Sequence, residues 1–267
     1  MSIPMEIPEA ELEKWLDEIS GGGVDAALEM FVCRYVPDLA RLQKQMHELA
    51  EEFPISHRME EVKVREGQVV SRVGSLESDP EGRLVSAISN DIGLMEFWLA
   101  KLMDRIRGRY TLTRDGLVDY LYRSPVFGEK SAAMITIGIE AYLDGDHLKA
   151  VHVLVPQIEN ALRRLLEMLG EPPNKARRGD PKEKTEKTLN DILDEQAIKT
   201  YLGEEVVLYL STLLVDPRGR NLRNRMAHGL MSAAEFHRGV SDRVVHVLLL
   251  LSGVERASRV DVSDKCG

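Results

Sequence analysis

The segment Asn221-Leu222-Arg223-Asn224-Arg225-Met226-Ala227-His228-Gly229 carries the group types that phosphodiester chemistry uses. Arg223 is a permanent cation whose planar fork of donors matches phosphate oxygens. His228 can give or take a proton near neutral pH. Asn224 adds an amide that both donates and accepts. On a helix, Asn224 and His228 fall one turn apart on one face. Arg223 lies about 140° round from His228 and reaches the same place only by its length. The chemistry that fits is metal-free attack on a phosphodiester. His228 would act as general acid or base, Arg223 would bind the scissile phosphate and stabilise the charge gathering on it, and Asn224 would orient the imidazole or meet the substrate. The competing reading is structural: Arg223 and His228 cap a helix end and pair with surface acids.

These residues need elements to position them. Asp216-Pro217-Arg218-Gly219 predicts a turn into the motif, with Asn221 at the helix N-cap. Gly229 suits the left-handed position just past the helix end. Ser232-Ala233-Ala234-Glu235 reads as a capping box opening the last helix, which runs to about residue 251. Upstream, Asp146 caps a helix from His147 to about residue 169 that Pro156 should kink. Glu159 and Arg163 stand four apart on it, so an intrahelical ion pair is the simplest expectation for them. Arg218, Arg220, Arg223 and Arg225 follow one another with no acid among them. Arg218, Arg220 and Arg225 are therefore expected to position phosphates and so to bind RNA.

The R-N-x-x-x-H-G pattern resembles the R-x4-6-H motif of the HEPN superfamily, all-helical domains that include RNA-cleaving toxins and antiviral effectors. It looks like the branch of unassigned function that also occurs in the endoplasmic reticulum membrane-associated RNA degradation protein. The helix containing Pro156, Glu159 and Arg163 is similar to that branch's P-x-x-E-x-x-L-R helix. The resemblance covers roughly residues 130–255. It implies a helical bundle, catalytic Arg223, Asn224 and His228, and a Glu159 turned toward the motif arginine, as an alternative to the intrahelical pair. It also implies a metal-independent endoribonuclease that makes a 2′,3′-cyclic phosphate by attack of the ribose 2′-hydroxyl. Such domains usually work as two-fold pairs, so a homodimer facing motif to motif is expected. The implied setting is a toxin, phage defence or RNA turnover, with an antitoxin or regulatory protein as a further partner. Since HEPN-like domains include modules without catalysis, the alternative is a non-catalytic domain that binds RNA or a protein partner.

The whole chain bounds these readings. Its 267 residues suffice for one large or two modest domains. Lys+Arg 35 against Asp+Glu 44 leaves −9, so any RNA contact needs a local basic patch and should be sensitive to salt. No H-E-x-x-H, C-x-x-C, P-loop or G-x-S-x-G pattern is present, and no metal or cofactor is expected. Cys33 and Cys266 give no readable disulfide framework, which points to a reducing compartment. With no signal-peptide pattern and no apolar run long enough to span a bilayer, a cytoplasmic protein without membrane contact is expected.

Helical periodicity dominates, and the expected class is all-α: a C-terminal HEPN-like bundle preceded by an N-terminal helical domain with one small β-hairpin. Residues 1–125 form the first domain, with the hairpin at 62–73 around Glu66-Gly67. Residues 126–255 form the second, and 256–267 a flexible tail. A single helix is expected from Pro80 to beyond Ile106. Residues 171–187, rich in charge and poor in apolar groups, are expected to form a mobile loop, with Lys175, Arg177 and Arg178 as minor candidates for RNA guidance. His147, His152, His237 and His246 share no ligand spacing and are expected to be ordinary helix-surface or core residues.

Overall fold

The computed structural model describes residues 9–19, 21–65, 67–177 and 180–254, and within these the protein is mostly helical. Helix α1 (Glu9–Ile19) is followed by α2 (Val24–Tyr35), α3 (Leu39–Glu52) and the short α4 (Pro54–Arg58). Strands β1 (Glu61–Arg65) and β2 (Gln68–Val73) pair antiparallel where the alternating valines predict a hairpin. Gly67 supplies the positive φ its turn needs. Asp79 then caps α5 (Pro80–Leu94) by accepting from the Gly82 amide.

The continuous helix expected after Pro80 is broken. A second helix, α6 (Glu96–Tyr110), starts beyond Met95, and α7 (Arg114–Leu121) follows with Thr113 as its cap. The break coincides with Gly93, where an added Cβ would lie 2.2 Å from the Arg220 guanidinium. Arg220 thus occupies the side-chain space at the end of α5, and Glu96 at the start of α6 pairs with it.

Helices α8 (Ala132–Leu143) and α9 (His147–Met168) form an antiparallel pair. Gly138 lets them approach, since a Cβ there would meet Leu154 Cδ2 at 2.4 Å. Helix α9 passes through Pro156 on its exposed side, and Gly170 at φ 85° ends it. The charged segment after it is not the loop expected. Strand β3 (Asn174–Arg177) pairs antiparallel with β4 (Asp180–Glu186), giving a second hairpin that the lack of apolar alternation conceals. The Lys187 amide donates to Pro173 O and closes its base. Arg178 and the Arg177 side chain lie outside the described residues, whereas Lys175 is held by Asp191 at 2.5 Å.

The chain continues through α10 (Leu189–Asp194), α11 (Gln196–Leu202), α12 (Glu204–Leu214), α13 (Leu222–Ala227) and α14 (Arg238–Ser252). Helix α14 is the central element. Every residue from Ser241 to Leu251 is buried, and the helix packs against α2, α6, α7 and α9. Apolar groups all round a helix are what a central position requires. Helices from both sides of residue 125 therefore share one apolar core, in which Phe31, Leu99, Met103, Leu154 and Leu248 are fully buried.

Asp242, His246 and Ser241 of α14 find hydrogen-bond partners within the core. Asp242 accepts from the Tyr142 hydroxyl at 2.7 Å, and burial raises its carboxyl above the usual range. His246 bridges Tyr209 and the Val32 carbonyl, at 3.0 Å each, and so is a core histidine as expected. Ser241 meets His147 at 2.8 Å, while His152 is exposed and stacks near Phe236. No helix among the described residues is long and apolar enough to cross a membrane. Cys33 is half-buried on α2 and is not a free thiol, so it lends no support to a reducing compartment. Cys266 and the tail at 256–267 lie outside the described residues.

Candidate active site

The motif occupies α13 and the turns at its two ends, packed between α9 and α12. The entry turn folds tightly back on α12. Arg220 N–H donates to Thr212 O at 2.8 Å, and a Cβ on Gly219 would lie 2.2 Å from that same oxygen. Glycine is thus required by close backbone approach. Asn221 does occupy the N-cap position, but in a left-handed conformation (φ 53°, ψ 35°) and without capping a helix amide. Its Oδ1 instead accepts from Asn224 Nδ2 at 2.9 Å.

The exit is a Schellman turn. The Gly229 amide donates to Met226 O and the Leu230 amide to Arg225 O, with Gly229 at φ 66°. The Ser232–Glu235 capping box is present but opens only a single 3₁₀ turn; α14 begins three residues later, at Arg238.

Arg223 is held from two directions. Its Nε donates to Glu159 Oε2 at 3.1 Å, one terminal nitrogen forms an ion pair with the same oxygen at 3.0 Å, and the other terminal nitrogen donates to Asn224 Oδ1 at 3.2 Å. Glu159 Oε1 simultaneously accepts from Arg163 at 3.3 Å. Both expectations for Glu159 are met by one carboxylate with two oxygens. Arg163 reaches onward to Pro173 O, which ties the site to the base of the second hairpin. A guanidinium has five N–H donors. Two are engaged in hydrogen bonds on Arg223, leaving donors on the terminal nitrogens for a ligand, and the side chain is 31% exposed.

Asn224 does not orient the imidazole. Its two amide hydrogens go to Val215 O, at 3.2 Å, and to Asn221 Oδ1, while its oxygen receives Arg223. It therefore ties off a carbonyl at the end of α12 and fixes the arginine. His228 closes α13 as its C-cap and is exposed; its ring makes no hydrogen bond among the described residues. The fold thus presents a fixed, half-buried cation and an open imidazole on one short helix.

The arginine cluster is not the free basic patch its sequence suggests. Arg218 is bound by Asp216 and by Glu81, each nearest at 2.7–2.8 Å, and its hydrogen bond with Asp216 raises its pKa further. Its backbone carbonyl receives Lys63, whose ammonium pKa burial lowers. Arg220 pairs with Glu96 at 3.4 Å and Arg225 with Glu235. The hydrogen bond from Ser232 N–H and then the contact with Arg225 hold the Glu235 carboxyl below its ordinary pKa. Only Asp216 and Glu235 lie near the motif in sequence. Glu81 and Glu96 belong to α5 and α6, and nothing local in the sequence announces them. Among the described residues, no group of three or more histidines, cysteines and carboxylates is placed to hold a metal ion.

Comparison of the chain with protein-family models, with curated proteins and with solved structures finds no match.

Proposed function

We propose that this protein is a metal-independent endoribonuclease of HEPN type. The ribose 2′-hydroxyl attacks its own phosphorus, a 2′,3′-cyclic phosphate forms, and the 5′-oxygen leaves with a proton. Arg223 meets the phosphate with the remaining donors of its terminal nitrogens and stabilises the charge that develops there. His228 transfers the proton, as its exposure allows. The nucleophile belongs to the substrate, so this chemistry does not require a metal-bound water. The observation that carries the reading is the Glu159–Arg223–Asn224 network, which fixes the cation on the helix that ends in His228. One chain supplies one such histidine, and a two-fold pair would supply separate groups to remove and to donate the proton. Leu230, 57% exposed two residues beyond His228, is an apolar group available to such a contact.

The second reading is a non-catalytic module that binds RNA or a protein partner. Its protein-binding form is favoured by the carboxylate partners of Arg218, Arg220 and Arg225, which leave little free positive charge for a polyanion. Incubation with mixed RNA in excess EDTA separates the two. Cleavage to cyclic-phosphate ends by wild type, lost in Arg223→Ala and His228→Ala with folding intact, supports the enzyme. Salt-sensitive RNA binding without cleavage supports the module. EDTA-resistant cutting of 2′-deoxy substrates, or near wild-type cleavage by both variants, would overturn the site assignment.

A further inference from the structure

Beside the motif helix the fold forms a cavity of about 120 Å³, which neither Arg223 nor His228 lines. Three arginines from three different places line it: Arg220 before α13, Arg225 within α13, and Arg243 from α14. The Nε–H of all three is buried and has no hydrogen-bond partner in the protein. Buried donors are almost always paired, and a charged one left without an acceptor is strongly unfavourable. All three belong to guanidinium groups that border one pocket from three places in the chain.

The charge count points the same way. Arg220 and Arg225 are matched by Glu96 and Glu235, which also line the cavity. Arg243 is different. It is 2% exposed, its terminal nitrogens donate to the backbone carbonyls of Tyr35 and Ile92, at 3.1 and 3.2 Å, and its guanidinium lies 5.9 Å from the centre of the Tyr209 ring. No carboxylate pairs with it among the described residues. A buried guanidinium without a counter-ion is rare because desolvating the charge is costly. The cavity walls thus carry one uncompensated positive charge. The neighbouring His246 does not alter the count, since burial and then the Arg243 charge hold it neutral.

We propose that this cavity binds a phosphate group, as free phosphate or as the terminal group of a nucleotide. A tetrahedral oxyanion offers acceptors in several directions at once, which suits donors arriving from three elements. The volume is several times what one water needs. Glu96 and Glu235 already neutralise two arginines, so a group of low charge fits better than a polyphosphate. Arg225 shares α13 with Arg223, so the bound anion would sit directly beneath the motif helix.

The test is isothermal titration of the full chain in chloride buffer of matched ionic strength, with inorganic phosphate and a nucleoside 5′-monophosphate as probes. One saturable site per chain is expected. Val240→Phe fills the cavity without removing a charge, and Arg243→Met removes the unpaired cation. Each variant, with native circular dichroism confirmed, is expected to bind at least tenfold more weakly. A nucleotide bound tenfold or more above phosphate identifies the ligand as a nucleotide, and equal or weaker binding identifies free phosphate. No saturable heat above the chloride control, or undiminished binding in a folded variant, overturns the proposal. Should Val240→Phe fail to fold, Arg243→Met decides. Neither readout involves RNA cleavage, so failure here leaves the endonuclease reading of Arg223 and His228 untouched.

Discussion

Acidification should destabilise this protein well before its carboxylates titrate, and His246 is the reason. The ring is fully buried on α14, and burial, followed by the Arg243 charge, depresses its pKa from 6.5 to about 3. The Val32 carbonyl can only accept, so Nε2 carries the hydrogen and the Tyr209 hydroxyl donates to Nδ1. A protonated ring would carry a hydrogen on Nδ1 as well, so the Tyr209 hydroxyl would have to turn from donor to acceptor. In the unfolded chain His246 takes up a proton below about pH 6.5, whereas in the folded chain it does not until about pH 3. Stability is therefore full above pH 6.5 and falls with pH between these values. One proton of difference corresponds to a loss of about 1.4 kcal/mol at pH 5.5 and about 2 kcal/mol at pH 5.0. His147, also depressed by burial, acts in the same direction. Asp242, raised by burial, acts in the opposite one. Urea unfolding of wild type and of His246→Gln at pH 7.5, 6.5, 5.5 and 5.0 isolates the term. The packing penalty of the substitution is constant with pH, so the gap between the two proteins should narrow by these amounts on acidification. A gap that stays constant from pH 7.5 to 5.0 would refute the buried neutral imidazole.

Three further outcomes follow from the geometry. A double-mutant cycle of Glu159→Gln and Arg223→Gln should give a coupling of roughly 1–2 kcal/mol in thermal or urea unfolding, between the values for exposed and buried pairs, because the two side chains are 17% and 31% exposed. Additive effects would show that the pair is not formed in solution. Gly219→Ala should destabilise by about 1–3 kcal/mol through forced displacement of Thr212 O, and an unchanged melting temperature would contradict the close approach. On the proposed reading of a facing homodimer, excess His228→Ala chains should depress wild-type cleavage beyond dilution. Activity proportional to the wild-type fraction, with a monomer in light scattering, would rule that arrangement out.

Elements set by local chemistry are legible in the sequence, and those set by distant partners are not. The caps Asp79 and Asp146, the terminators Gly170 and Gly229, and the valine alternation of β1 and β2 act within a few residues of themselves. The break between α5 and α6 depends on Arg220, over a hundred residues away, and periodicity alone runs one helix through it. The second hairpin has almost no apolar pattern. Its closure rests on backbone bonds and on ion pairs such as Lys175–Asp191, which no strand signature contains. At the site, the same limit separates Glu159, found by its relation to the motif, from Glu81 and Glu96, whose pairing with Arg218 and Arg220 appears only in three dimensions.

That pairing changes what the site must do to handle RNA. The consecutive arginines at 218–225 suggest a positive surface, but the fold supplies Asp216, Glu81, Glu96, Glu159 and Glu235 against them. Arg223 is subject to the same balance, since the carboxylate that aims it also neutralises it. A phosphate approaching its free terminal donors must be attracted in spite of Glu159 and against a chain of net charge −9. On the proposed reading, binding to one motif is consequently weak, and orientation rather than affinity is what Glu159 and Asn224 contribute. Such an arrangement gains most from a second copy, because two fixed guanidinium groups around one phosphate double the attraction while each remains held by its own carboxylate. Glu159→Gln should then show opposing effects, with tighter RNA binding from the added positive charge and slower cleavage from the loss of aim. A fall in both, or in neither, would mean that Glu159 serves the fold alone.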